Sequence, residues 1–243
     1  MKITIFYSSI HKTDGNTYVI IDEFAKGAKE AGAEVEVVLL AEKKINNCIA
    51  CMKCWTKTPG KCSLKDDMAG LLEKFMQSDL VVMATPVYVH NVSGIMKTFL
   101  DRMMPIIDPH LVKMGNGYTG HRKTDADYPK FGVIATGGFP EQKCCEFISG
   151  YFNRIALDLY SQVIFEIYKG EAVLLKMDEN PGLRSLLAEY KQNVRKAAKE
   201  VVENMKISAD TTEKLDQPFI PEETYIELAN QYWDSRIAHY QKS

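Results

Sequence analysis

Short apolar runs along the chain alternate with stretches in which apolar positions recur every three or four residues. The runs cover residues 2–7, 34–40, 79–85, 131–136 and 162–168. Rich in Val, Ile and Phe and only a few residues long, they read as strands. The 79–85 run, Asp-Leu-Val-Val-Met-Ala-Thr, is apolar almost throughout, as expected of a central strand covered on both faces. Helical spacing occupies residues 16–31, 66–76, 93–103, 141–158 and 183–205. Gly32 stops the first of these, and Asp66 and Asp67 suit the positive N-terminus of the second. The alternation predicts an α/β fold: a doubly wound five-stranded parallel sheet in the order 2-1-3-4-5, with helices on both faces.

Two segments break the repeat. Residues 105–130 form a long polar connection with Gly115, Gly117 and Gly120, and loops of that length are often functional. The tail holds Pro218 and Pro221, then an aromatic-bearing helical pattern over residues 222–240. The expected organisation is a domain over residues 1–205 with a cysteine-rich loop at 45–65, followed by an arm over 206–243 that packs on this chain or on a partner subunit.

Composition narrows the function classes. Hydrophobic residues are 46% and the formal charge is −2, so nothing points to nucleic acid or an anionic membrane surface. No apolar run is long enough to span a bilayer, and the start lacks the pattern of a signal peptide. A reducing, cytoplasmic location is the expectation, and there clustered cysteines serve as ligands more often than as disulfides.

Such a cluster is present. Cys48, Cys51, Cys54 and Cys62 follow the spacing C-x2-C-x2-C-x7-C, with Pro59 and Gly60 offering a turn that returns the last thiol to the others. Four thiolates hold iron–sulfur clusters or structural zinc, and three evenly stepped cysteines favour a 4Fe–4S cluster. Zinc, redox thiols and a relic loop are the alternatives. Trp55 inside this loop is read as a shield for a cluster or, more plainly, as an anchor.

In a doubly wound sheet, ligands sit beyond the C-terminal strand ends, where the strand order reverses. Three loops are expected there. Residues 8–17 are crowded with hydroxyl and amide side chains and end at a helix N-terminus, which suits a phosphate. No Walker pattern is present, which argues against nucleoside triphosphate hydrolysis. Residues 85–94 place Pro86 at a bend and Tyr88 where it can lie along a flat ring. Residues 136–140 carry Gly137 and Gly138, which let backbone approach a ligand closely.

These residues resemble a known family. The core, about residues 1–205, is similar to the flavodoxin-like NAD(P)H-dependent FMN reductases, and within them to the iron–sulfur flavoproteins. The matching stretches are residues 8–17 with Gly15-Asn16-Thr17, Thr85-Pro86-Val87-Tyr88, Asn91-Val92-Ser93-Gly94, Lys97, Phe99-Leu100-Asp101-Arg102, and the cysteine loop running into Asp66-Asp67-Met68. The resemblance implies bound FMN, with phosphate on Ser9, Thr13, Asn16 and Thr17. It implies one ring edge on Pro86, Val87 and Tyr88 and the other on Gly137 and Gly138. Ser8, Gly15, Asn91 and Thr136 complete the candidate cofactor shell. It further implies a 4Fe–4S cluster on the four cysteines, NAD(P)H or a ferredoxin-like protein as donor, and a homodimer or homotetramer. His11 stands near a position where arginine is common in the family.

No protein acid or base is singled out as catalytic, because a flavin carries the chemistry itself. A flavodoxin-type electron carrier is the competing reading, and a flavin reductase whose loop holds zinc or nothing is a third. His11 and His90 are read as hydrogen-bonding neighbours of the ligand, Cys144 and Cys145 as buried thiols, and Arg102 as a partner in a structural ion pair. His110, His121 and His239 form no metal-spaced set.

Overall fold

The computed structural model describes residues 1–115, 117–141 and 145–241. Strands β1 (Lys2–Tyr7), β2 (Glu34–Leu39), β3 (Leu80–Tyr88), β7 (Lys130–Thr136) and β8 (Val163–Lys169) pair side by side in parallel, in the order β2-β1-β3-β7-β8. That is the expected 2-1-3-4-5 order of a flavodoxin-like doubly wound sheet. One edge differs from expectation. β3 runs past Thr85 to Tyr88, and the chain folds straight back as β4 (Asn91–Val92), antiparallel to it. The sheet therefore has a sixth, two-residue strand at its upper rim.

The helices are α1 (Asn16–Glu30), α2 (Met68–Met76), α3 (Gly94–Asp101), α4 (Glu146–Asp158) and α5 (Arg184–Asn204). Period-two alternation splits the strand side chains between two cores. Ile3, Ile5, Leu80, Val82 and Ile134 face a layer made by α1 and α5. Phe6, Val81, Met83, Phe131 and Val133 face a layer made by α2, α3 and α4. α1 and α5 approach closely at Gly27, where a Cβ would stand 2.3 Å from the Arg195 carbonyl oxygen.

The connection and the tail carry elements of their own, of which the sequence reading predicted only the helix over 222–240. The 105–130 connection contains a hairpin of β5 (Leu111–Lys113) and β6 (Thr119–His121). The tail forms α6 (Ala209–Asp216) and α7 (Glu222–Tyr240). Leu215, Phe219 and Tyr225 join the α1/α5 core, whereas most of α7 beyond Tyr225 is exposed. α2 begins at Met68, so Asp66 lies ahead of the helix, and α4 begins at Glu146. Cys145 is buried, and Cys144 lies outside the described residues. No helix among the described residues is long and apolar enough to cross a membrane.

Candidate functional site

β1 and β3 diverge at the reversal point of the strand order, and the loop after β1 fills the gap between them. Ser8 and Ser9 are buried there. Ser8 bonds inward: its hydroxyl donates to the Ala84 carbonyl at 3.3 Å, and Ser93 Oγ lies 2.8 Å from it. Ser93 also caps α3 by accepting the Met96 N–H, so one serine pair ties two strand ends to a helix start. Ser9 Oγ accepts the His11 N–H at 3.1 Å, and Thr13 is exposed on a short 3-10 turn. Gly15 is the N-cap of α1. No side chain caps that end and its first turn carries no acid, which leaves the free N–H groups of a helix start available to an anion.

Gly15 also leaves room that a side chain would fill, because a Cβ there would stand 2.2 Å from Tyr7 Oη. That hydroxyl is buried beside Ser9 and Thr17 without a hydrogen bond of good geometry to either, and burial pushes its pKa up. A buried hydroxyl without a partner is costly. Sequence reasoning missed Tyr7 because it reads only as the last residue of a strand. Asn16 opens α1, and Thr17, buried behind it, shares a 2.7 Å hydrogen bond with Thr136 at the end of β7.

The second part of the rim is a concavity of about 370 Å3 walled by Val87, Tyr88, Val89, His90, Gly137, Gly138 and Phe139. The structure thus brings Val87, Tyr88, Gly137 and Gly138 together across the β3 and β7 ends. Pro86 sits behind them, in register with Thr136. Asn91 turns to its own backbone, its side-chain carbonyl accepting the Val92 N–H at 2.8 Å. Val89 and Phe139 were not singled out by sequence. Val89 and His90 have φ of +48° and +61°, the left-handed pair of a two-residue hairpin turn where Asn-Gly is usual. The β-branched Val89 is strained there. The His90 and Phe139 rings stack across the concavity at 5.7 Å.

The cysteine loop leaves β2 and then runs beside α3. Cys48, Cys51, Cys54 and Cys62 all wall one concavity of about 250 Å3, closed by Asp101, Arg102, Met104 and Pro105. Two left-handed residues, Ala50 and Met52, curl the chain between the first three thiols. Trp55 anchors the loop, donating its indole N–H to the Met104 carbonyl at 2.9 Å. Arg102 is buried at the back wall. Its guanidinium donates to Asp66 at 2.8 and 3.0 Å, to the Asn46 carbonyl at 2.6 Å and to Cys62 Sγ at 3.4 Å. The guanidinium holds the Asp66 carboxyl far below the ordinary carboxylate range. Burial, with the neighbouring thiols, raises the Cys54 pKa, whereas a hydrogen bond with Ser63 lowers that of Cys51. Among the described residues no three His, Cys, Asp or Glu side chains converge tightly enough for a single metal ion. The concavity borders the C-terminal end of α3, about 12 Å in helix length from the rim where α3 begins.

Residues 1–118 match the family model described as NADPH-dependent FMN reductase. An iron–sulfur flavoprotein of Archaeoglobus fulgidus is 38% identical over 143 residues, covering 58% of this chain and 56% of the relative. The chain spans about half the length of the curated relatives it matches. Among solved structures, an NAD(P)H:quinone oxidoreductase from Methanothermobacter marburgensis superposes with a TM-score of 0.59 at 16% identity, covering 83% of this chain and 96% of the other. An FMN-dependent NADH-azoreductase from Bacillus anthracis, solved in complex with FMN, gives 0.57 at 17% identity, covering 83% and 100%. These two share the fold. Over residues 1–118 the chain is therefore similar to the NADPH-dependent FMN reductase family, and the curated proteins it resembles are iron–sulfur flavoproteins.

Proposed function

We propose that the protein is an FMN-dependent oxidoreductase that moves electrons between NAD(P)H or a ferredoxin-like donor and an acceptor by way of a 4Fe–4S cluster. The observation that carries the flavin reading is the uncapped start of α1 beside the partnerless hydroxyl of Tyr7. The phosphate of FMN fits both: it accepts from free helix N–H groups and supplies the missing partner. The concavity between residues 87–90 and 137–139 has the size and the mainly apolar wall of a small-ligand site. In this reading Ser9, Gly15, Asn16 and Thr17 hold the phosphate end, and Val87, Tyr88, Gly137 and Gly138 hold the ring. Ser8, Thr85 and Ser93 set the loop between them.

Bound FMN takes up two electrons as a hydride and returns them singly, and a cluster passes one electron at a time. Four thiols around one concavity supply the donor set a 4Fe–4S cluster needs. Arg102 fixes Cys62 and offers its sulfur an N–H, a contact of the kind that sets cluster potentials. A homodimer or homotetramer, in which the cysteine concavity meets a second copy of the chain, belongs to the same reading. Location in a reducing cytoplasm suits exposed thiols.

Steady-state NADH and NADPH oxidation by FMN-loaded protein with an artificial acceptor tests the assignment. Turnover with either nicotinamide supports the reductase. Loaded protein that turns over with neither either takes its electrons from a protein donor or is an electron carrier of the flavodoxin type.

A further inference from the structure

The tail after α5 reaches back to the rim of the sheet. Tyr225, buried at the first turn of α7, donates its hydroxyl to the Gly138 carbonyl at 2.7 Å. The same loop is held from the other side by the end of β8: Gly137 N–H donates to the Lys169 carbonyl at 2.9 Å, Glu171 N–H to the Phe139 carbonyl at 2.8 Å, and Ala172 N–H to the Gly137 carbonyl at 3.0 Å. Gly170 permits this approach, since a Cβ there would stand 2.5 Å from the Phe139 carbonyl oxygen.

The tail is itself pinned to those residues. The buried Glu171 carboxylate accepts the Phe219 N–H at 2.7 Å and the Ile220 N–H at 3.2 Å. Lys169 donates to the Gln217 carbonyl at 2.5 Å and lies 3.9 Å over the Phe219 ring. Residues 137–139 are therefore fixed by two clamps, one of them supplied by the last forty residues of the chain. A trans peptide places C=O and N–H on opposite sides of one plane. With the Gly138 carbonyl drawn to Tyr225, the Phe139 N–H of that plane faces away from the tail.

We propose that the C-terminal segment completes the flavin site, and that Tyr225 is a positioning residue that aims the 138–139 peptide at the ring. The proposal rests on the FMN reading above. It assigns to the tail a role in holding cofactor, beyond covering the α1/α5 core.

FMN titrations of freshly stripped full-length protein, followed by fluorescence, test it. Tyr225→Phe removes only the hydroxyl and is expected to weaken FMN about five-fold, with a changed visible envelope of the bound flavin. Glu171→Gln, which loosens the Phe219 and Ile220 clamp, should act in the same direction. Tyr232→Phe, on the exposed part of the same helix, should leave both readouts unchanged. A Tyr225→Phe protein with wild-type FMN affinity and an unaltered flavin envelope overturns the proposal, even if its thermal midpoint falls. Wild-type protein that binds no FMN would bring down the flavin reading itself, and the proposal with it.

Discussion

Arg102 heads the described side chains buried completely inside the protein, and it is charged. Asp66, the Asn46 carbonyl and Cys62 offset most of its cost of burial, while its Nε is left without a partner. Removing one member of a buried pair strands the other, at roughly 3–5 kcal/mol. Arg102→Ala is therefore expected to lower stability by that order in urea unfolding, and the Arg102→Met/Asp66→Asn double variant to recover a large part of it. Equal losses for the single and double variants would contradict the coupling. Lys169 is the second buried cation. Burial lowers its pKa from 10.5 to about 8, with Glu171 and Asp216 opposing and the Tyr190 ring facing it. Between about pH 8 and 10.5 the unfolded chain holds this proton and the folded chain does not, so this group's contribution to stability rises with pH across that window. The gain is at most ~3 kcal/mol. Unfolding midpoints of wild type and Lys169→Met, measured from pH 7 to 10.5, should diverge in favour of wild type above pH 8. Parallel profiles would exclude the shift.

At the level of elements, the strained rim hairpin offers a clean test. Val89 and His90 both occupy left-handed backbone that Asn-Gly would adopt without strain. Val89→Asn is expected to stabilise the protein by about 1 kcal/mol in a urea titration, since Val89 is almost wholly exposed and loses no packing. A destabilised variant would show that the turn is held by contacts of the Val89 side chain. The main elements were legible in the sequence because their signals are long: continuous apolar runs for β3 and β7, helical spacing for α1 and α5. β4, the β5–β6 hairpin and α6 were not. Two or three residues carry no period, and α6 has few apolar positions, of which Leu215 finds its place only against the folded core. The start of α2 was misplaced because Asp66 has the chemistry of a helix start yet serves Arg102, 36 residues away.

For the whole molecule, the two concavities divide the chemistry: one at the sheet rim between β3 and β7, one beside the far end of α3. Composition and spacing pointed to both, because the thiols are close in sequence and the rim loops follow strand ends. What they did not show was how the parts are joined. The Tyr7 hydroxyl is defined by a glycine eight residues later, and Tyr225 meets Gly138 across 87 residues. Such pairings carry no local pattern. Since the two sites have separate walls, Cys54→Ser is expected to lose iron and keep FMN, as read by metal analysis and flavin release. Loss of both would mean that the cysteine loop supports the rim. Anaerobic purification of the untreated protein, with iron, zinc and flavin counted per chain, decides between a flavin–cluster protein and the other readings. About one FMN and four irons are expected. A colourless protein that takes up no FMN, or one whose cysteines hold zinc, would contradict it.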